Sequence, residues 1–403
     1  MPLSVLFLQG PASPFFRELS SALRSRGHRT IRVNFCGGDL VYGGRVANRT
    51  SYYGSLEHLP EWYQILLERE SPTDIVLFGD CRPIHAPIHA IAEERQLRVH
   101  VFEEGYVRPN WVTLERGGVN GRSGLSRDPE FLLASSRLIP PAPASKGTGY
   151  NLRERAWHDI CYRLANGLCS WRYGNYRSHR PHNGLTEYAA LSSRFACKSR
   201  FEREATRLTD QLLGSGKPYF LFPLQLNTDS QITHHSPFRN VPNAIEAVIE
   251  SFARHAPEDC MLVVKNHPLD TGIWKYEHVV ERIAQKYGVG SRIVFLNGGH
   301  LPTLLTHAKG VVVINSTVGL SALHHGRPLV TLGRAIYGIP GLTWQDSIDS
   351  FWTGASDPDI QLYQVFLNYI LHETQINGDF YTRTGIEMAV AGAVQRLEAA
   401  EHA

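Results

Sequence analysis

Residues 260–343 determine the predicted fold, and they contain CMLVVKNHPLD (260–270), RIVFLNGG (292–299) and GVVVINSTVGLSALHHGRPLVTLGRAIYGIPGLT (310–343). Met261–Val264 and Val311–Ile314 are short apolar runs rich in β-branched residues, which is typical of strands buried in a parallel sheet. Val318–His325 has helical character and is followed by Gly326, a common stop signal. We therefore predict strand–helix units of a parallel α/β sheet in this region.

The polar residues that follow these two runs predict a phosphate site. Lys265 and His267 follow the first run, and Asn315, Ser316 and Thr317 follow the second. Ligands of an open parallel sheet bind outside the carboxyl ends of its strands, and Ser316 or Thr317 would cap a helix whose first N–H groups favour an anion. An ordinary helix cap explains the last three residues equally well. The chain has no GxxxxGK loop followed by Ser or Thr, so a nucleotide sugar fits better than ATP.

Length and composition exclude several classes of protein. The chain has 403 residues, which is enough for two domains. Its content of 42% hydrophobic and 20% charged residues is typical of a globular protein. A net charge of +3 argues against general nucleic-acid binding. No secretory signal and no apolar run near 18 residues is found. The six cysteines form no C-x-x-C pair, so we expect free thiols in the cytoplasm and neither structural zinc nor disulfides.

The first 105 residues predict a Rossmann-like domain. Gly10 does not belong to a G-x-G-x-x-G motif, so a dinucleotide is not indicated. Gly37–Gly54, with five glycines and three tyrosines, is predicted to be a loop that lines a cleft. The four predicted strands, separated by helices, are Ser4–Leu8, Thr30–Asn34, Asp74–Phe78 and Arg98–Phe102.

The rest of the chain predicts a linker, a helical insert and a second α/β domain. Pro140–Gly149 has linker composition, and Asn151–Gln211 is mostly helical. Within it, the arginine-rich segment Arg172–Arg180 is either a solvated loop or a contact with a phospholipid surface or anionic acceptor. Two amphipathic helices, Gln361–His372 and Gly385–Glu401, close the chain. The predicted division is 1–140, 141–212, 213–350 and 351–403, with the last part packing back across the domains.

Two further groups of residues are candidates for binding or chemistry. Glu103 and Glu104 follow a predicted strand and could act as a general base or as a nucleophile on a sugar, although two solvated glutamates are the simpler interpretation. Gln225 and Asp229 lie in FPLQLNTDSQITHHSPF (222–238), a polar segment long enough to be a binding loop. The adjacent His234 and His235 have no matching ligand set, so we expect no metal.

Four segments together resemble the capsule polysaccharide biosynthesis family of the KpsS/LipB type. The resemblance runs from the first strand to about residue 343. The segments are FEEGYVRPNWVTLE (102–115), FPLQLNTDSQITHHSPF (222–238), VVKNHPLD (263–270) and NSTVGLSALHHGRPLVTLGRAIYGIPGLT (315–343).

This resemblance implies a cytoplasmic glycosyltransferase of GT-B-like fold, with two Rossmann-like domains facing each other across a cleft. The implied activity is a retaining β-Kdo transfer from CMP-Kdo to a lyso-phosphatidylglycerol anchor, without a cofactor. The implied location is peripheral at the inner membrane, and the implied partners are a KpsC-type transferase and the capsule export complex.

The resemblance also assigns roles to individual residues. Glu103-Glu104-Gly105 stands where KpsC-type relatives have Glu-Asp-Gly, so Glu104 would act at the anomeric centre with a side chain longer by one methylene. Lys265 and His267 match a Lys-x-His-Pro element that would hold the CMP phosphate. The remaining implied contacts to the donor are Ser316 and Thr317 in the loop that closes over the nucleotide, and Gln225 and Asp229 in a Gln-x-x-x-Asp element.

Several alternatives stay open at this point. Arg108 is a plausible partner for the carboxylate of Kdo. Retention requires either a two-step displacement through a protein carboxylate or a front-face path, and either Glu103 or Glu104 could be the key group. The donor could be another UDP- or CMP-linked sugar such as a sialic acid. A non-catalytic scaffold of the capsule assembly and export complex is the third alternative.

Overall fold

The computed structural model describes residues 2–44, 48–178, 184–226 and 230–399, which fall into two compact units. The first unit contains Met1–Leu125, Pro141–His179 and Ile370–Ala403, and the second contains Ser126–Pro140 and Arg180–Tyr369. The division at 140, 212 and 350 was inferred from linker and helix patterns and stays a prediction.

The strands alternate with helices along most of the described chain. In chain order they are β1 (Ser4–Phe7), β2 (Arg29–Asn34), β3 (Arg49–Ser51), β4 (Asp74–Phe78), β5 (Arg98–Glu104), β6 (Trp111–Arg116), β7 (Tyr219–Pro223), β8 (Met261–Lys265), β9 (Ile293–Leu296), β10 (Gly310–Val313), β11 (Leu329–Thr331) and β12 (Gln375–Asn377).

The helices include those predicted at 318–325, 361–372 and 385–401, each found within two residues of its predicted ends. They are α1 (Phe15–Ser25), α2 (Gly37–Gly43), α3 (Leu59–Glu70), α4 (Ala86–Glu94), α5 (Pro129–Ser135), α6 (Leu152–Leu168), α7 (Gly184–Ala196), α8 (Lys198–Gly214), α9 (Ser230–His235), α10 (Val241–His255), α11 (Tyr276–Lys286), α12 (Leu301–His307), α13 (Val318–His324), α14 (Ile348–Gly354), α15 (Ile360–Glu373) and α16 (Arg383–Ala399). Within the described residues, no helix is both long enough and apolar enough to span a bilayer.

A seven-stranded sheet forms the centre of the first unit, in the order β12-β6-β5-β4-β1-β2-β3. Strands β1 to β5 are parallel, and β6 runs antiparallel to both β5 and β12. Side chains alternate between the sheet's two faces. Phe102 packs with α1 and α16 on one face, whereas Val101 packs with α3 and α4 on the other.

The second unit is built on a five-stranded parallel sheet in the order β11-β10-β7-β8-β9. Its core contains apolar side chains of α10, α11 and α14 against the strands, including the buried Phe220 and Trp352. In both units the first five strands follow the doubly wound order 3-2-1-4-5 of a Rossmann-like sheet. The predicted α/β class with two Rossmann-like domains is therefore confirmed.

The structure corrects two predicted loops. Gly37–Gly54 contains helix α2 and strand β3; a Cβ at Gly37 would lie 2.1 Å from the carbonyl oxygen of Ala165 in α6, so the glycine permits close helix packing instead of a turn. The segment 222–238 contains helix α9 (Ser230–His235), and its residues 227–229 lie outside the described chain.

Candidate functional site

The switch point of the second sheet brings two predicted residues together. Strands β7 and β10 are neighbours, and from them the chain continues outward in opposite directions, which is where doubly wound sheets bind ligands. Gln225, after β7, donates from Nε2 to Oδ1 of Asn315, after β10, at 3.1 Å. The N–H of Asn315 donates back to Oε1 of Gln225 at 3.3 Å. Both side chains are buried, so this reciprocal pair holds the two strand ends in register.

Lys265 lies at the end of β8, the strand beside β7, and its charged amine has few hydrogen-bond acceptors or opposite charges close to it among the described residues. The N–H of Leu224 bonds to the carbonyl of Lys265 at 2.8 Å, which ties the end of β8 to the residue before Gln225. Lys265 is only 7% exposed, and its Nζ donates to the carbonyl of Asn266 at a long 3.5 Å. Burial lowers the pKa of Lys265, against an opposing effect of the Glu202 carboxylate. A bound anion at this position would add to the counter-charge that Glu202 supplies.

The tautomer of His267 follows from its backbone contact. Its Nδ1 accepts the N–H of Leu269 at 3.1 Å, so a neutral ring carries its proton on Nε2. The N–H of His267 itself donates to Oδ1 of Asn266 at 2.8 Å. The neutral imidazole is thus oriented as a hydrogen-bond donor through Nε2.

Sequence reasoning missed a polar network beside Lys265. Asn266 Nδ2 donates to Asp270 Oδ2 at 3.2 Å and to Asn297 Oδ1 at 3.1 Å. Arg194 of α7 donates to the same Asn297 oxygen at 3.1 Å and pairs with Asp270 at 3.5 Å. Asn297 follows β9, so the rule of polar residues after strands could have found it. Arg194 stands within a helical stretch and carries no comparable local signal.

The start of α13 confirms one of the two predicted caps. Ser316 Oγ accepts the N–H of Val318 at 3.2 Å, whereas Thr317 makes no side-chain cap bond. The Tyr337 hydroxyl donates to the carbonyl of Ser316. Since Ser316 and Thr317 are half-buried, they stay accessible beside Asn315.

In the first unit, Glu103 and Glu104 do not form a carboxylate pair. Strand β5 extends to Glu104, beyond the predicted end at Phe102, so the two side chains point to opposite faces. Glu103 Oε1 accepts the N–H of Glu104 at 3.0 Å. The face of Glu104 is the one that carries Phe102 and Tyr381.

Glu104 is held by two donors on a single oxygen. Its Oε1 accepts the Tyr381 hydroxyl at 2.9 Å and lies 3.3 Å from NH1 of Arg155, a residue of α6. The Arg155 guanidinium also stacks 5.1 Å above the Tyr381 ring. Burial and then the Glu104 charge raise the pKa of Tyr381. Burial is the largest single effect on Arg155 and lowers its pKa, but Glu104, Tyr381 and Tyr150 together outweigh it, so the pKa of Arg155 is raised overall.

The second carboxylate oxygen of Glu104, Oε2, is the candidate reacting atom. Within the part of the chain that the structure describes, Oε2 has no recorded partner, and the Glu104 side chain is 25% exposed. A partly exposed carboxylate that is fixed through one oxygen suits a nucleophile, a base or a group that stabilises positive charge.

Arg108 and the two adjacent histidines make few described contacts that bear on a binding site. Arg108 is exposed and its Nε donates to the carbonyl of Gly105 at 3.2 Å. Asp229 lies outside the described residues. His235 contributes its backbone carbonyl to Asn315 Nδ2 at 3.3 Å, while its neighbour His234 is exposed.

An open groove of about 1090 Å³ lies in the first unit beside Tyr381. It runs between α1 and α16 and is bordered at one end by His158 of α6. His158 Nε2 is 3.2 Å from the carbonyl of Tyr381. The groove thus adjoins the residue whose hydroxyl holds Glu104.

Comparison with known proteins gives consistent results over most of the chain. The family model described as "Capsule polysaccharide biosynthesis protein" matches residues 73–381. The "Capsule polysaccharide export protein KpsS" of Escherichia coli is 36% identical over 379 residues, which cover 93% of this chain and 96% of that protein. The "Capsule polysaccharide modification protein LipB" of Neisseria meningitidis serogroup B is 33% identical over 389 residues, covering 94% and 92%.

Among solved structures, KpsC of Thermosulfurimonas dismutans, titled a "beta Kdo 2,7 transferase", aligns with 98% of this chain and 99% of its own. Its sequence identity is 12% and the TM-score is 0.44.

Proposed function

The chain belongs to the capsule polysaccharide biosynthesis family, and we propose that it is a glycosyltransferase that transfers Kdo from CMP-Kdo to a lyso-phosphatidylglycerol acceptor with retention at the anomeric carbon. The observation that carries this proposal is the buried, poorly compensated Lys265 amine beside the Gln225–Asn315 pair at a switch point. Such a site favours an anion on the strand ends of the second unit.

The second unit would bind the CMP part of the donor. The Lys265 ammonium and the Nε2–H of His267 would stabilise the charge that develops on the phosphate as CMP departs. Asn315, Ser316 and Thr317 would add donors at the start of α13. Gln225 would position Asn315, and we retain Asp229 as a further contact to the donor.

Glu104 of the first unit would act at the anomeric carbon. In a two-step displacement its Oε2 attacks this carbon and CMP leaves with the bonding electron pair. The acceptor hydroxyl then attacks the same carbon, its proton passes to water, and the bond to Glu104 breaks to release the carboxylate. In a front-face reaction the same carboxylate would stabilise positive charge on the sugar. Glu103 would be an alternative to Glu104, and Arg108 would pair with the carboxylate of Kdo.

The decisive experiment measures transfer to a lipid. The protein is incubated with CMP-Kdo generated in situ and a lyso-phosphatidylglycerol analogue, and the lipid is analysed by mass spectrometry. We expect a mass increase of one Kdo, and a rate lowered by about 10²–10³-fold or more in Glu104→Gln. An unchanged lipid, in an assay where a known transferase works, would contradict the proposal.

A nucleotide thermal-shift series tests the donor separately. At 100 times its dissociation constant, a ligand stabilises the folded protein by about 2.7 kcal/mol. We expect CMP to stabilise more than UDP, and the reverse order would replace Kdo by a UDP-linked sugar. An acceptor product formed only from CMP-sialic acid would identify that donor instead.

The cellular setting is part of the same proposal. We propose that the protein works peripherally at the cytoplasmic side of the inner membrane, with a KpsC-type transferase and the capsule export complex as partners. Support comes from the relatives named above, one of which is called a capsule polysaccharide export protein. If Glu104→Ala and His267→Ala left capsule display intact in cells where deletion abolishes it, the role would be that of a scaffold.

A further inference from the structure

Helix α6 exposes a continuous apolar stripe. Trp157 is 64% exposed, Leu164 61% and Leu168 78%, and Trp171, just beyond the helix, is 82% exposed. Spacings of seven and four residues place the first three side chains on one face of the helix. A grouped set of large apolar side chains of this kind usually marks an interaction surface.

The opposite face of α6 is already fastened to the first unit. Tyr162 donates its hydroxyl to Asp39 Oδ1 at 2.6 Å, and Asn166 Oδ1 accepts the N–H of Gly38 at 2.7 Å. Ala165 packs against Gly37 of α2. Helix α6 is thus held in place without its apolar stripe, and the described residues of the first unit leave Trp157 and Trp171 largely exposed.

The charge around the stripe favours an anionic partner. Residues 152–178 contain five arginines and only two acids, Glu154 and Asp159. Asp159 is paired with Arg163 at 2.9 Å. Arg153, near the start of the helix, and Arg177, beyond its end, are exposed. Apolar side chains with tryptophans, flanked by arginines, are the composition of helices that lie in the interface of anionic bilayers.

We infer that the outer stripe of α6, together with Trp171, binds the surface of an anionic phospholipid bilayer. The same helix carries Arg155, which contacts Glu104 from the inner side. An α-helix with its side chains is about 10–12 Å across, so Glu104 would lie roughly one helix diameter from the lipid. This last step rests on the proposed function, because it brings a membrane-embedded acceptor near the carboxylate.

Vesicle binding by the full-length protein tests the surface directly. Co-sedimentation is measured with phosphatidylcholine vesicles and with vesicles containing about one third phosphatidylglycerol. Leu164→Glu is compared with Ile65→Glu, a change at a helical residue of the same unit that is 56% exposed. We expect Leu164→Glu to weaken binding to anionic vesicles at least tenfold, Ile65→Glu to leave it unchanged, and both variants to keep the wild-type melting temperature.

A second measurement tests the contribution of the arginines to vesicle binding. Arg153→Gln combined with Arg177→Gln is expected to weaken binding to anionic vesicles and to reduce its dependence on salt. Equal binding of Leu164→Glu and wild type would overturn the inference. So would an equal loss in Ile65→Glu, or light scattering that shows wild-type dimers broken by Leu164→Glu without any vesicle binding.

A transfer assay separates this surface from the proposed function. Leu164→Glu should keep wild-type transfer to a short-chain, water-soluble acceptor and lose transfer to the same headgroup embedded in vesicles. Vesicle binding through the stripe by a wild-type protein that transfers to neither acceptor would support the surface and contradict the transferase.

Discussion

Replacing Lys265 by Met should stabilise the unliganded protein and weaken its response to CMP. The amine is buried, and among the described residues its hydrogen bond is to the carbonyl of Asn266 at 3.5 Å, longer than the usual 2.7–3.2 Å. Burying a charge without a close partner costs free energy, and replacing buried ion pairs by apolar side chains of similar volume is often neutral or stabilising by about 1–4 kcal/mol. The Glu202 charge offsets part of the cost, so we expect about 1–2 kcal/mol, or roughly 2–8 °C in the melting temperature.

The ligand response should change in the opposite direction. A charge-assisted hydrogen bond to phosphate contributes about 1.5–3 kcal/mol, so its loss weakens CMP binding roughly 10–100-fold. At a CMP concentration that stabilises the wild type by about 2.7 kcal/mol, the variant should respond only slightly. Lys217→Met makes the same change at an exposed lysine of the second unit and should alter neither quantity.

The pH dependence of the stability difference follows from the direction of the pKa change. Because burial lowers the pKa of Lys265, the folded protein carries the full cost of the charge at neutral pH. As the pH rises through the folded pKa towards about 10.4, the folded amine is relieved of its charge before the unfolded one. The advantage of Lys265→Met should therefore be largest near pH 7 and shrink at alkaline pH.

Thermal and chemical unfolding, each with and without CMP, measure all of these quantities. A variant that is less stable than wild type by more than about 1 kcal/mol and still responds fully to CMP would refute the argument. The buried amine would then be a structural group and not a phosphate ligand.

Two further substitutions test the contacts around Glu104 and α13. Tyr381→Phe removes the hydroxyl bonded to Glu104 at 2.9 Å and keeps the ring, so unfolding measurements should show a loss of about 1.5–3 kcal/mol and the transfer rate should fall. Tyr363→Phe, which loses a hydroxyl bonded at 3.3 Å to a backbone carbonyl, should leave the transfer rate unchanged. Gly319→Ala would place a Cβ 2.3 Å from the Tyr337 hydroxyl oxygen and should cost about 1–3 kcal/mol or more by denaturant unfolding. In a Tyr337→Ala background the same alanine should cost less than about 1 kcal/mol, and an undiminished cost would show that the clash is not its cause.

The sequence predicted the elements whose information is local. Asp74–Phe78 has the predicted bounds, and the helix predicted at Val318–His325 differs from α13 by one residue, because a run of β-branched residues or a helical repeat with its stop signal is visible within one element. The polar residues after strands could also be predicted, because the carboxyl ends of parallel strands lie at one edge of the sheet. Gln225 and Asn315 could therefore be predicted as neighbours of a ligand site, although not as partners of each other.

Local reasoning failed where packing overrides propensity. Helix α2 begins with two glycines, which favour a turn in isolation, but close contact with α6 leaves no room for a side chain at Gly37. The separation of Glu103 from Glu104 was also missed, because the predicted strand ended at Phe102 while β5 continues through both glutamates.

What the sequence by itself determined is the parallel strands β1, β2, β4, β5, β8 and β10, several helices and the edge of each sheet where polar groups collect. Only the tertiary structure decided which groups meet there. Tyr381 reaches Glu104 from 277 residues away, and Arg155 reaches it from a helix in the middle of the chain. Contacts at such separation depend on which helix packs on which face of the sheet, and they leave no repeating pattern in the sequence around either residue.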